Sequence, residues 1–184
     1  MRDQLKISRV TGRGGCRIVL EGVVDERASL KKAFEGLSGT VVLDLDKVSR
    51  ITSFGVLEWR SSLEKLEAGY YAFIRCRPSL MAQFNLIDGF GGRGELISFY
   101  LPYICSACSH EFELLVDLRH HYSVAVSREP PHARCRKCGA EAEFDGLADD
   151  FLSFVGSRPR PHVPPTALQL IDGRGATGKV VLEP

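Results

Sequence analysis

The sequence predicts an α/β fold, in which helices pack on a mixed sheet, followed by a small β module with a metal site. Over residues 1–102, strand-like apolar runs alternate with segments whose apolar residues recur at helical spacing. Two CxxC pairs lie within residues 103–157. We therefore predict a first domain over residues 1–102, a cysteine-bearing module over 103–157, and a Pro-rich linker with a C-terminal tail over 158–184.

The chain opens with a predicted β-hairpin. Residues 5–10 alternate apolar and polar side chains, residues 16–24 form a second strand-like run, and the glycine-rich residues 11–15 separate them. A helix is expected next, over residues 26–37. Its buried face consists of four apolar residues at helical spacing, namely Leu30, Ala33, Phe34 and Leu37.

A buried strand and a longer helix are predicted at the centre of this domain. Residues 41–46 have the nearly continuous apolar character of a buried strand. Ser53 can cap the helix that follows, and Gly69 is placed to end it. The apolar stripe of this helix comprises Val56, Trp59, Leu63 and Leu66. Because Trp59 lies on that stripe, we expect it to anchor the core.

The last elements of the first domain are a strand, a short helix and another strand. Residues 70–76 and 95–101 read as strands, and a proline begins the helix predicted over residues 78–87. The resulting order is β-β-α-β-α-β-α-β. This order is typical of a single sheet with helices packed on it.

Residues 42–56, with the order of elements around them, resemble the STAS domain, the fold of bacterial anti-sigma factor antagonists. The resemblance covers roughly residues 3–102. Further matching positions are residues 22–25 before the first helix, Asp44 at a strand end, Gly55 at the second helix start and Pro78 at the third.

The resemblance implies a partner-binding surface. STAS antagonists dock on a kinase or regulator through a loop and helix that begin at an Asp-Ser-Ser/Thr-Gly signature, and phosphorylation of its second hydroxyl residue releases the partner. In this chain Thr52 stands at the acidic position and Phe54 at the phosphoacceptor position. Because Phe54 has no hydroxyl, the expected surface is constitutive. The implied partner-binding residues are Asp44, Asp46, Thr52, Ser53, Phe54 and Gly55. Ser53 is expected to be a plain N-cap, with modification as the alternative.

The two cysteine pairs, Cys105 with Cys108 and Cys135 with Cys138, have the spacing of metal ligands. Each pair can present two sulfurs to one ion, and two pairs complete a tetrahedron, for which Zn²⁺ is the expected occupant. Four thiolates leave no open coordination position, so this zinc is expected to be structural. The pairs resemble the knuckles of a zinc ribbon, with strands predicted over residues 112–118 and 122–126. A redox dithiol is the competing interpretation, but neither pair opens a helix after a strand.

Composition excludes several classes of function. The formal net charge is +1, with 44% apolar and 26% charged residues, so no bulk attraction to nucleic acid or anionic lipid is implied. No apolar run approaches the roughly 18 residues of a membrane span, and the N-terminus does not resemble a signal peptide. We therefore expect a cytoplasmic protein, where thiols stay reduced and favour metal over disulfides.

Two glycine-rich motifs and the tail complete the sequence. Residues 173–179 match the glycines and lysine of a phosphate loop, but Val180 stands where that motif has the Ser or Thr that contacts Mg²⁺. Residues 89–94 match GxGxxG, but they follow a predicted helix and precede a predicted strand, the reverse of a dinucleotide-binding motif. Residues 166–184 read as a disordered tail or a small hairpin, and the hairpin is favoured. In that hairpin three aliphatic residues, Leu168, Leu170 and Ile171, would face Val180, Val181 and Leu182.

The function expected from these features is a noncatalytic protein-interaction module in bacterial signalling, with a kinase-like or regulatory protein as partner. The alternative is a nucleic-acid-associated regulator that uses the ribbon, where Arg134, Arg136 and Lys137 form a short basic patch among acidic residues. An enzyme is least favoured, because no segment combines a nucleophile, a base and an orienting residue. Homo-oligomerisation stays open.

Overall fold

The computed structural model describes residues 4–173 and 178–182, and for residues 178–182 only the backbone is described. The strands are β1 (Lys6–Gly12), β2 (Gly15–Val24), β3 (Thr40–Ile51), β4 (Tyr70–Ile74), β5 (Glu95–Leu96), β6 (Ser98–Ile104), β7 (Glu111–Asp117), β8 (Ala133–Arg134), β9 (Glu141–Phe144) and β10 (Gly178–Leu182). The helices are α1 (Leu30–Phe34), α2 (Ser53–Glu64), α3 (Pro78–Leu86), α4 (Tyr122–Ser127), α5 (Ala148–Gly156) and α6 (Pro165–Ile171).

The first sheet is mixed and has six strands in the order β10-β1-β2-β3-β4-β5. The pairs β10–β1 and β1–β2 are antiparallel, whereas β2 to β5 pair in parallel. Helices connect the parallel strands, as parallel pairing requires. The predicted α/β class with a mixed sheet is confirmed.

One face of this sheet forms the main core with α1, α2 and α3. Alternate residues of β2 and β3, such as Ile18 and Leu43, are completely buried there. Trp59 of α2 is also completely buried, its Nε1 donates a hydrogen bond to the Phe90 carbonyl oxygen at 2.9 Å, and its ring stacks on that of Phe90. The predicted role of Trp59 as a core anchor is confirmed.

The opposite face of the sheet is covered by α6. Ala167 and Leu170 of this helix pack on a small apolar cluster that includes Val42 and Ile74, and the hydroxyl oxygens of Thr40 and Thr166 lie 2.8 Å apart. The predicted tail or hairpin is therefore wrong for this segment. Pro165 begins a helix, because the first helical turn does not need the missing N–H, and the helix buries an apolar sheet face.

The C-terminal strand also pairs differently from the expected hairpin. β10 lies antiparallel to β1, with Ile7 opposite Leu182 and Thr11 opposite Gly178. The predicted pairing of residues 168–171 with 180–182 is replaced by this long-range ladder. The proposed turn of that hairpin and most of the phosphate-loop motif fall on residues 174–177, which lie outside the described residues.

The second sheet has four strands in the order β7-β6-β9-β8 and is antiparallel. The predicted strand over residues 95–101 is divided between the two sheets, because β5 pairs with β4 whereas β6 pairs with β7. Residue 102, where the first predicted domain ends, lies within β6. The division into domains stays a prediction, but the described cores are continuous: Phe84 of α3 contacts Phe154 of α5 at a ring separation of 5.2 Å.

Further predicted elements differ in type or length. The strand expected over residues 122–126 is the helix α4, whose Ala125 is buried while Val126 is 64% exposed. A run as short as this one satisfies both the strand and the helix pattern, so packing decides between them. Helix α1 is shorter than predicted, because Ser29 adopts a left-handed conformation (φ +48°) just before it.

Candidate metal centre and candidate docking surface

The four cysteines of the two CxxC pairs converge at one point. The sulfur atoms of Cys105, Cys108, Cys135 and Cys138 all lie within 4.8 Å of one another. The Sγ–Sγ distance is 3.5 Å between Cys105 and Cys138 and 3.7 Å between Cys108 and Cys135. A tetrahedral ion with metal–sulfur bonds of about 2.3 Å requires sulfurs about 3.8 Å apart. The cluster therefore has the dimensions of a four-thiolate metal site.

The first knuckle is closed by two backbone hydrogen bonds. The Ser109 N–H donates to the Cys105 carbonyl oxygen at 2.7 Å, and the Cys105 N–H donates to the His110 carbonyl oxygen at 3.0 Å. Ser109 adopts a left-handed conformation with φ +53°, which lets the chain reverse within this turn. These backbone hydrogen bonds thus hold Cys105 and Cys108 side by side.

The second knuckle repeats the same pattern. The Gly139 N–H donates to the Cys135 carbonyl oxygen at 2.9 Å, and the Cys135 N–H donates to the Ala140 carbonyl oxygen at 2.8 Å. Gly139 has φ +76°, so it occupies the position of Ser109 in the first knuckle. A glycine in this position signals a left-handed turn, whereas the serine of the first knuckle carries no such signal in the sequence.

The sulfur atoms differ in how readily they ionise. Burial opposes ionisation of Cys135, but the N–H groups of Cys138 and Lys137 and the neighbouring thiols lower its pKa to about 7. Burial raises the pKa of Cys108 to about 12, and its thiol contacts retain the proton. A metal ion binds thiolates, so its binding at this cluster would release the thiol protons.

The predicted docking residues Thr52 to Gly55 form the first turn of α2. The Thr52 side chain accepts a hydrogen bond from the Gly55 N–H at 3.0 Å, so Thr52 is the N-cap. The predicted N-cap role of Ser53 is wrong, because Ser53 is already the first helical residue. A Cβ at position 55 would lie 2.0 Å from the Val24 carbonyl oxygen, which explains the glycine there.

Two large apolar side chains are exposed on this helix. Phe54 is 66% exposed and Leu57 is 63% exposed, and their spacing of three residues places them side by side. Val56, Trp59 and Leu63 are buried on the other side of the helix. Sequence reasoning selected Phe54 but missed Leu57, although its position off the predicted apolar stripe was visible in the sequence.

The other two predicted docking residues, Asp44 and Asp46, lie elsewhere. Asp44 is completely buried on the sheet face that α6 covers, and its carboxylate accepts hydrogen bonds from the guanidinium groups of Arg17 and Arg75. Asp46 accepts a hydrogen bond from the Tyr100 hydroxyl at 2.8 Å. Burial and this bond raise the pKa of Tyr100 to about 12. The structure therefore groups these carboxylates with arginines and separates Asp44 from the exposed face of α2.

Comparison of the chain with protein-family models, with curated proteins and with solved structures finds no match. Within the residues that the structure describes, no helix is long and apolar enough to cross a membrane. Function must therefore be inferred from the geometry of the cysteine cluster and of helix α2.

We expect Asp44→Asn to destabilise the fold by about 3 kcal/mol, because two guanidinium groups would lose the buried charge that they share. Urea denaturation followed by circular dichroism measures this change. The control is Asp88→Asn at an exposed aspartate, for which we expect a change of at most about 0.5 kcal/mol. Equal stability of the two variants would contradict the role given to Asp44.

We expect the metal-free protein to bind one Co²⁺ per chain, with the intense visible absorption of a tetrahedral thiolate complex. Cys108→Ser should weaken binding at least tenfold, because one of four ligands is lost. Cys16→Ala is the matched control, because Cys16 is a buried cysteine outside the cluster. Unchanged Co²⁺ affinity in Cys108→Ser would show that the cluster is not the site.

Proposed function

We propose that this chain is a noncatalytic regulatory module of STAS type that binds a protein partner in bacterial signalling. The observation that carries the proposal is the exposed apolar pair of Phe54 and Leu57 at the start of α2. We call this pair, with the exposed Ser53 beside it, the α2 surface. Exposed large apolar side chains at one place are characteristic of protein contact sites.

The α2 surface is mounted on a rigid base. The N-cap of Thr52 fixes the helix start, Gly55 allows close contact with β2, and Trp59 locks the helix against the core through its hydrogen bond to Phe90. A preorganised surface loses little conformational entropy when it binds a partner. This rigidity favours docking of a folded protein over a conformational or catalytic role for the helix.

The identity of residue 54 supports constitutive docking. The STAS resemblance places Phe54 where a phosphoacceptor hydroxyl is expected, and its ring extends into solvent. A phosphate at a helix start would add negative charge, whereas a phenyl ring adds apolar contact area. We therefore propose a kinase-like or regulatory partner with an apolar pocket and no release by phosphorylation at this position.

We assign the cysteine cluster to a structural zinc ion. Four thiolates in a tetrahedral arrangement are the donor set typical of structural zinc, and a closed set leaves no position for substrate. When bound, zinc would supply folding free energy to the second sheet. The backbone hydrogen bonds of the two knuckles hold the four cysteine ligands in place, and the proposed role of the cluster is structural and not catalytic.

The nucleic-acid alternative has weaker support. Arg134, Arg136 and Lys137 are exposed on the second knuckle and form no ion pair among the described residues. Glu141 and Glu143 are exposed on the next strand, so the local charge is mixed. A nucleic-acid surface normally requires a continuous basic face, which favours protein contact for this module.

We expect Phe54→Asp to abolish partner capture, because a buried carboxylate would replace apolar contact. The tagged protein and its variants are incubated with lysate of the source organism, and retained proteins are quantified by mass spectrometry. A protein retained at least tenfold less by Phe54→Asp is purified, and its direct binding is measured by calorimetry.

Leu147→Asp is the matched control for this experiment, because Leu147 is 70% exposed and lies before α5, outside the α2 surface. It should capture the partner as the wild type does. Loss of the partner with Leu147→Asp and retention with Phe54→Asp would place the docking site on the second sheet and overturn the proposal.

We also expect Ser53 to be unphosphorylated in the protein isolated from its source, because the proposed surface binds constitutively. Intact-protein and peptide mass spectrometry measure its occupancy. A stoichiometric phosphate on Ser53 would contradict constitutive docking. It would indicate a phosphorylation switch one residue before the phosphoacceptor position of the STAS signature.

A further inference from the structure

A cavity of about 150 Å³ lies where the edge of the first sheet meets the second sheet and its helices. It is bounded by the end of β5, by α5 and by the proline-containing segment that follows α5. Its apolar lining consists of Leu96, Leu118, Phe154, Val155, Pro159 and Pro161. This cavity is separate from both the cysteine cluster and the α2 surface.

The apolar wall of the cavity is preformed. Leu118 and Val155 are each 2% exposed, and Leu96 is 7% exposed, so packing fixes their side chains. The segment that closes the cavity is held by the Tyr122 hydroxyl, which donates to the Arg158 carbonyl oxygen at 2.7 Å. Such a site binds a ligand without first having to order its own wall.

The charged residues that line the cavity are mainly cationic. The Arg158 guanidinium lies 4.7 Å from the centre of the Phe154 ring and has no carboxylate partner among the described residues. Arg93 is the second cation, and its guanidinium donates to the carbonyl oxygens of Leu66 and Ala68. Of the lining residues only Glu95 is acidic, and its carboxylate accepts from the Tyr70 hydroxyl at 3.1 Å.

We propose that this cavity binds a small monocarboxylate with a compact apolar body, of the size of benzoate. A cavity of about 150 Å³ accommodates one benzene-sized group, and the mixed lining of this cavity offers both an apolar wall and charged groups. The apolar part of the ligand lies against Leu96, Leu118 and Val155. Its carboxylate pairs with the guanidinium of Arg158, because the other lining guanidinium, that of Arg93, already donates to two backbone carbonyl oxygens.

The position of the cavity gives binding a structural consequence. Leu96 belongs to the first sheet, Leu118 follows β7 of the second, and Val155 belongs to α5. A ligand in contact with all three adds a further link between elements that the packed core already joins. Binding should therefore raise the thermal stability of the whole protein, since it favours the folded state.

Benzoate and its neutral isostere benzamide are the probes for this proposal. Both are titrated at millimolar concentration into the ¹⁵N-labelled full-length protein. We expect saturable shifts of the Leu118 and Val155 amide signals with benzoate and at least tenfold weaker binding of benzamide. Arg158→Gln should weaken benzoate binding at least tenfold and leave benzamide binding unchanged.

Arg128→Gln is the matched control, because it removes the same charge from an exposed residue near the cavity that does not line it. Its benzoate affinity should equal that of the wild type. The proposal is overturned if benzoate gives no saturable shift at the cavity, if benzamide binds equally well, or if Arg128→Gln weakens binding as much as Arg158→Gln.

Discussion

The carboxylate of Asp44 can lie in the interior only because two guanidinium groups reach it from different elements. Arg17 comes from β2 and Arg75 from the end of β4, so the three side chains fasten the central strands on the face away from α2. Arg17 also donates to the carbonyl oxygens of Leu170 and Ile171 at the end of α6. The same charge cluster therefore keeps α6 on the sheet. Removing one of its charged side chains would leave the opposite charge without its partner in an apolar interior.

The sequence was a good guide where local chemistry decides the structure. The CxxC spacing predicted four converging sulfurs, and the helical spacing around Trp59 predicted its burial. It was a poor guide where packing between distant segments decides. Residues 122–126 satisfy a strand pattern but form a helix. Helix α6 is stabilised by packing on an apolar face of the first sheet, which lies far away in the sequence. For the proposed docking surface, the signature pointed to α2, whereas the burial of Asp44 depends on arginines distant in sequence.

Aromatic contacts join the two sheets into one body. Trp59 stacks on Phe90, Phe90 contacts Phe84, and Phe84 contacts Phe154 of α5, with ring separations of 5.6, 5.0 and 5.2 Å. Each ring is wedged between its neighbours, so the helix that carries Phe54 and the helix beside the second sheet share one packed core. The proposed partner would thus contact α2 on a base that the sheet with the cysteine cluster helps to hold.

The pairing of β1 with β10 has a consequence for synthesis on the ribosome. Ile7 lies opposite Leu182, so β1 finds its outer neighbour only about 170 residues of synthesis later, when β10 has been made. Until then the outer backbone groups of β1 have no strand beside them, and closing so long a loop is entropically costly. We expect nascent chains to rely on chaperones at this edge, and premature termination to yield a sheet with an open side.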